Sequence, residues 1–214
     1  MDTTPRPAAE RRSSAVLSFL AAGDLTTFAW LAVDAARAPG LGAREALSRT
    51  AAEQMGHYDA VLAELAGVGG SREDVAPHLV LLEEVGTRTE PGSWEERVLR
   101  TGLMGAMVYD LGEVLARLLP ADLQERALAG RRAPDELAVE LVGQQLAEDE
   151  PLRARLSLWG RRIAGEVLGV LPPVIALLVA ASDGDEEAAA LAAPAMSEMS
   201  GRHARRMGRL GLTA

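Results

Sequence analysis

Apolar side chains recur along this chain at steps of three and four. Leu17, Leu20, Phe28 and Leu31 make one such stripe. Leu47, Ala51, Tyr58, Val61 and Leu65 make a second, and Leu99, Leu103, Ala106, Val114 and Leu118 a third. Each stripe marks the face of an α-helix turned toward a core. Turn-forming clusters interrupt the pattern at Arg37–Gly42 (RAPGLG), Gly67–Ser71 (GVGGS), Thr89–Ser93 (TEPGS), Leu118–Asp122 (LLPAD), Glu148–Pro151 (EDEP) and Ser182–Glu186 (SDGDE). Between them lie long helical segments, with a shorter one around Val75–Val85. No segment alternates with the period of two that a half-buried strand requires. Long helices joined by short turns predict antiparallel neighbours and an all-α bundle. The third stripe has a second face of small residues, Gly102, Gly105, Gly112 and Ala116, which predicts that this face meets another helix closely.

Composition sharpens this picture. Of the 214 residues, 48% are hydrophobic and only 3% aromatic, so Leu, Ala, Val and Met must build the core. Scarce β-branched and aromatic residues favour helix over strand. The chain has no Cys, which excludes disulfides and thiolate metal sites. All 22 basic residues are Arg, and the net charge of -9 argues against a uniformly basic nucleic-acid surface. The first 13 residues read as a disordered tail, and residues 14–214 as one helical domain. The longest apolar run, Val167–Ala181, is short for a bilayer span of about 20 residues and contains Pro172 and Pro173. It reads as a buried helix in a soluble, cytoplasmic protein.

The apolar stripes are interrupted by polar groups. Asp24 falls in line with Leu17, Leu20, Phe28 and Leu31. Gln54 takes the missing place in the second stripe, His57 lies one turn further on, and Asp110 is in line on the third. A carboxylate on a buried face needs a partner. A polar layer at similar heights on several helices is how bundles build metal sites. The segment QMGH, Gln54–His57, therefore raises the question of whether it holds a metal.

Four stretches resemble a family. They are GDLTTFAWLAVDAARAP (Gly23–Pro39), AAEQMGHYDAV (Ala51–Val61), RLSLWGRRIAGEVL (Arg155–Leu168) and HARRMGRLGL (His203–Leu212). In order and spacing they look like the actinobacterial ferritin-like proteins related to MiaE, the tRNA hydroxylase. That resemblance implies a ferritin-like antiparallel four-helix bundle with additional C-terminal helices. It also implies a di-iron site. The ligands would be a carboxylate on the first helix, Glu-x-x-His on the second, a carboxylate on the third, and Glu-x-x-His on the fourth. Residues at i and i+3 share a helix face, and hard carboxylates with two imidazoles suit iron or manganese. The family positions fall here on Asp24, on Gln54 and His57, and on Met104, with Asp110 and Glu113 nearby. On the fourth helix, matched to Leu128–Val142, they fall on Gly130 and Ala133. Glu53 cannot stand in for Gln54, because one residue is a rotation of about 100°.

Most of the implied ligands are therefore replaced. The reading that follows is a non-catalytic bundle, a MiaE-like pseudoenzyme with no catalytic residue and no cofactor. Asp24, Gln54, His57 and Asp110 form a polar core cluster at the former metal site, hydrogen-bonded to one another. One alternative is a di-iron oxygenase that keeps Asp24 and His57 as ligands. Another is a small-ligand-binding bundle that uses the emptied cavity. The apolar Leu168–Ala180 stretch predicts a homodimer, or a heterodimer with a related ferritin-like protein, with neither membrane nor nucleic acid as partner. The arginines of the last two long helices are read as ion-pair partners of the many acids, with Arg205 or Arg206 as the mate of Glu166. Trp159 is read as a packing anchor.

Overall fold

The computed structural model describes residues 6–214. Helix α1 runs over Ala8–Ala36, α2 over Leu41–Gly67, α3 over Ala76–Arg88, α4 over Trp94–Ala116, α5 over Ala121–Leu128, α6 over Glu136–Glu148, α7 over Glu150–Ala181, α8 over Glu186–Ala190 and α9 over Ala192–Arg209, with a 3-10 turn at Arg72–Val75. The boundaries follow the local chemistry. Ser93 caps α4 by accepting from the Glu96 backbone N–H, while the Glu96 carboxylate accepts from Gly92. Asp149 caps α7 through the Leu152 N–H, and Asp185 caps α8 through Glu187 and Ala188. The chain turns out of α2 through Gly69 at φ +74°, a conformation that favours glycine, and a Cβ at Gly70 would press on the Leu65 side chain.

Two expected boundaries move. Met1–Pro5 of the expected tail lie outside the described residues, but Ala8–Ser13 are the first turns of α1. Arg11 and Arg12 hold those turns in place by pairing with Asp183 and Asp185 at the far end of the chain. The stretch Leu128–Val142, matched above to one helix, is broken. Helix α5 ends at Leu128, Gly130 adopts φ +69°, and α6 starts only at Glu136. Arg131–Pro134 is therefore a loop, and Pro134 excludes an uninterrupted helix through it.

Helices α1 and α4 form a shared wall. On one side α2 and α6 complete a four-sided arrangement, with α2 running antiparallel to α1 across a four-residue turn. On the other side α3 and α7 complete a second, and α9 lies across α4 and α7. This central position explains why α4 is buried on nearly every face. Leu99, Leu103, Met104, Ala106, Met107, Val114, Leu115 and Ala116 are all fully enclosed. Its small residues meet different neighbours. Gly102 abuts Ala138 of α6, Gly105 abuts Pro134 and Thr27, and Gly112 abuts Leu20 of α1.

By length and composition, α1 and α7 would each suffice to cross a membrane. The apolar window of α1 is 67% buried within the bundle, that of α7 only 39%. The latter is thus a half-covered helix rather than the buried one that its sequence predicts. Val167, Val170, Leu171, Val174, Ile175 and Leu178 face inward, while Gly165, Gly169, Pro172, Ala176 and Ala180 face out.

Candidate functional site

The polar residues singled out in the sequence lie along the α1–α4 wall, and they divide into two groups. Asp24 sits on the buried face of α1, 2% exposed, and opposes Gln54 of α2 across a crevice whose other walls are Gly105, Val108 and Tyr109 of α4 and the Arg131–Pro134 loop. The loop leads into α6 on the fourth side of the arrangement, where the family resemblance places one unbroken helix. From it Arg131 reaches inward and donates from Nη1 to the Asp24 carboxylate at 2.5 Å, with both side chains almost wholly enclosed. The crevice that remains has a volume of about 10 Å³. That is room for one water molecule at most.

Asp24 is therefore satisfied by a guanidinium and not by Gln54 or His57. Among the described residues no hydrogen bond joins Asp24 to either. Gln54 lines the same crevice, and His57 stands half-buried beside Arg131 and Gly130. Burial and the Arg131 charge hold the His57 imidazole below its ordinary value, against an opposing pull from the Gly130 backbone. Burial lifts Asp24 to about 7 even with Arg131 in contact, because removing a carboxylate from water outweighs one ion pair here.

Asp110 belongs to a different group. One residue along α4 from Tyr109, it is rotated by about 100° away from the crevice and points toward α9. There it is completely buried and held by Arg202 and Arg206 together. Arg206 also pairs with Asp135, Arg209 with Asp135 and Glu136, and Arg202 with Glu113 and Glu198. Burial works against charge on Arg202 and Arg206, but the surrounding carboxylates outweigh it and raise both guanidinium pKa values. The two groups meet at Tyr109. Its hydroxyl donates to Glu113 at 3.0 Å and lies 3.4 Å from the Arg131 carbonyl. Burial and the Glu113 charge push this phenol up to about 12. Glu166 is paired with Arg88 at 3.0 Å, not with Arg205 or Arg206, since Arg206 is committed to α4 and Asp135. Trp159 anchors α7 to α4, its indole N–H donating to the Glu96 carbonyl at 3.0 Å.

These residues do not fit a pair of metal ions. The crevice offers one carboxylate and one neutral amide, the half-buried His57 imidazole is not among its walls, and a fixed cation already pairs with the carboxylate. A divalent ion beside Arg131 would meet repulsion at short range in a poorly screened interior. No group of three or more His, Asp or Glu side chains close enough to share a metal occurs among the described residues. Arg131 is the site residue that periodicity could not reveal. It lies on a loop, and a basic residue next to a second one, Arg132, reads as surface.

A comparison with curated proteins finds no match. A family model described as "Ferritin-like domain, actinomycetes" matches residues 9–177, from the first turn of α1 through most of α7. That span holds the whole α1–α4 wall and the Asp24–Arg131 crevice. The chain thus belongs to the actinomycete family of ferritin-like domains.

Proposed function

We propose that this chain is a non-catalytic, MiaE-like ferritin-fold protein in which a guanidinium has taken the place of the metal, and that it acts in the cytoplasm as an interaction or dimer subunit. The observation that supports the reading is the buried Arg131–Asp24 pair, which fills the centre of the four-sided arrangement and leaves about 10 Å³. An oxygenase needs an open coordination position and space for substrate, and a small-ligand bundle needs a cavity at that centre. The test is metal analysis of protein expressed with added iron and manganese. The expected content is far below one ion per chain; stoichiometric iron or manganese would restore the di-iron oxygenase reading.

The outward face of α7 supports the association part of the proposal. Gly165, Gly169, Pro172, Ala176 and Ala180 leave a smooth, uncharged surface flanked by the half-buried Leu168 and Leu177. A second copy, or a metal-competent relative of the same fold, would cover it. Light scattering at micromolar concentration should show a dimer that Ala176→Arg dissociates. A clean monomer, alone and mixed with such a relative, would remove this part.

A further inference from the structure

The exposed side of α7 changes character along its length. Near its start Arg155, Leu158, Arg161 and Arg162 all face out, with Leu158 63% exposed. From Ile163 to Ala181 there is one charge, Glu166, and Arg88 pairs with it. Beyond the helix the chain turns acidic, with Asp183, Glu186 and Glu187 exposed. At a rotation of about 100° per residue, Arg155, Leu158, Arg162, Gly169, Ala176 and Ala180 keep to one side of the helix. The basic start and the uncharged stretch are therefore one strip, and the acidic turn lies at its end.

These charges remain open to a partner. Arg161 donates to the Thr213 carbonyl and Arg162 to the Arg88 carbonyl, and among the described residues neither pairs with a carboxylate. Arg155 reaches Glu95 and Glu96 only at 3.8 and 3.6 Å. Arg162 lies over the Trp159 ring at 5.5 Å, which steadies its guanidinium at the surface. Asp183 and Glu187 keep 75% and 67% of their side-chain surface exposed, although Arg11 and Arg12 pair with them.

An uncharged helix face with opposite charges at its two ends complements itself. Midway between the arginines and the acids stands Pro172, itself exposed. Turning a second copy about a two-fold axis through that point lays the two α7 helices antiparallel and brings the arginines of each to the acids of the other. A parallel pairing stacks arginine on arginine. We propose that the occupant of the α7 face is a second copy of this chain, antiparallel about an axis at Pro172, with Arg155, Arg161 and Arg162 of each copy facing Asp183, Glu186 and Glu187 of the other. The pairing rests on the reading that α7 is the surface of association, and adds its partner, direction and register. The charges fix direction and register from the rim, and the uncharged stretch between them supplies the buried area.

The chain has no Cys, so single introduced thiols report on distances between copies. Pro172→Cys, on the axis, should form an intermolecular disulfide under mild oxidation. Leu158→Cys should not, because the two copies of that position would stand about 42 Å apart along the helices, whereas a parallel pairing would bring them together. Charge reversal gives a second test, read by light scattering with circular dichroism to confirm the helices. Arg161→Glu/Arg162→Glu and Glu186→Arg/Glu187→Arg should each raise the dimer dissociation constant at least about tenfold, since like charges then meet. An equimolar mixture of the two variants should dimerise again, because each reversed segment meets its reversed complement. No cross-link through Pro172→Cys, a cross-link through Leu158→Cys, a dissociation constant unmoved by either reversal, or a mixture that stays monomeric would overturn this pairing. With any of those results, a parent dimer that Ala176→Arg dissociates leaves α7 as the surface of association; a parent that is monomeric at micromolar concentration removes both.

Discussion

Replacing Arg131 by methionine keeps most of the side-chain volume and removes the counter-charge of Asp24. The consequence depends on pH, and its sign follows from the burial of Asp24. Its folded-state pKa is lifted to about 7 from an ordinary 3.8. Between those values the folded protein holds a proton that the unfolded chain has released. Stability therefore falls as pH rises from about 4 to about 7, and then levels off. Without Arg131 both opposing pulls, its charge and its hydrogen bond, are gone and the carboxyl pKa climbs further. The decline then continues above pH 7 at up to about 1.4 kcal/mol per pH unit. At pH about 6, where Asp24 is largely protonated in both proteins, the variant should be weaker by about 1 kcal/mol, a lost hydrogen bond. At pH about 9 the deficit should approach the roughly 3–5 kcal/mol of a broken buried ion pair. Urea denaturation followed by circular dichroism at both pH values measures this directly. The double variant Asp24→Asn/Arg131→Met should recover part of the loss at the higher pH and lose the added pH dependence. A deficit below about 1 kcal/mol at pH 9, or one that is the same at both pH values, would show that Arg131 is not the counter-charge of Asp24.

Two further outcomes test other parts of the structure. Burial pushes His78 down to about 4 from 6.5, so the unfolded chain gains a proton before the folded one does. The His78 contribution is then complete above pH 6.5 and falls by about 3 kcal/mol as pH drops toward 4, opposite in sign to that of Asp24 over the same range; His78→Phe should remove that part of the slope in denaturation curves, and an unchanged slope would place the acid sensitivity elsewhere. At Gly105 a Cβ would lie 2.7 Å from Pro134 Cγ and 3.2 Å from Thr27 Cγ2, whereas at Gly165 it would meet open space. Gly105→Ala should therefore cost about 1–3 kcal/mol, and Gly165→Ala should add up to about 1 kcal/mol in the monomer, with opposite shifts in melting temperature.

The helical skeleton was legible because its signals are local. Gly and Pro clusters end helices, and α1 stops just before RAPGLG, α2 ends on the first residue of GVGGS at Gly67, and α7 begins inside EDEP. Asp24 and Asp110 were legible as buried because each lies in an apolar stripe, and both are enclosed. Their partners were not legible. Arg131 follows Asp24 by 107 residues and sits on a loop, and Arg206 follows Asp110 by 96. Periodicity within one helix has no information about which of 22 arginines arrives opposite a given acid. The reading of Leu128–Val142 as one helix failed for a related reason. Its apolar residues keep a helical rhythm, but Gly130 at φ +69° and Pro134 break the backbone that the rhythm assumes. The angular separation of Asp110 from the crevice was also missed, since a stripe drawn by steps of three and four drifts around a long helix.

The arginines of α9 have a consequence for the order of events during synthesis. Asp110 lies at the centre of the fold, yet the guanidinium groups that neutralise it are translated 92 and 96 residues later. Until α9 has left the ribosome, α4 carries a carboxylate that cannot be enclosed without water beside it. The nascent bundle must therefore stay loosely packed around α4 through the making of α5 to α8. The final compaction of the first-made helices thus waits on nearly the last-made one, and a chain released before Arg206 would retain its helices but not its close-packed interior.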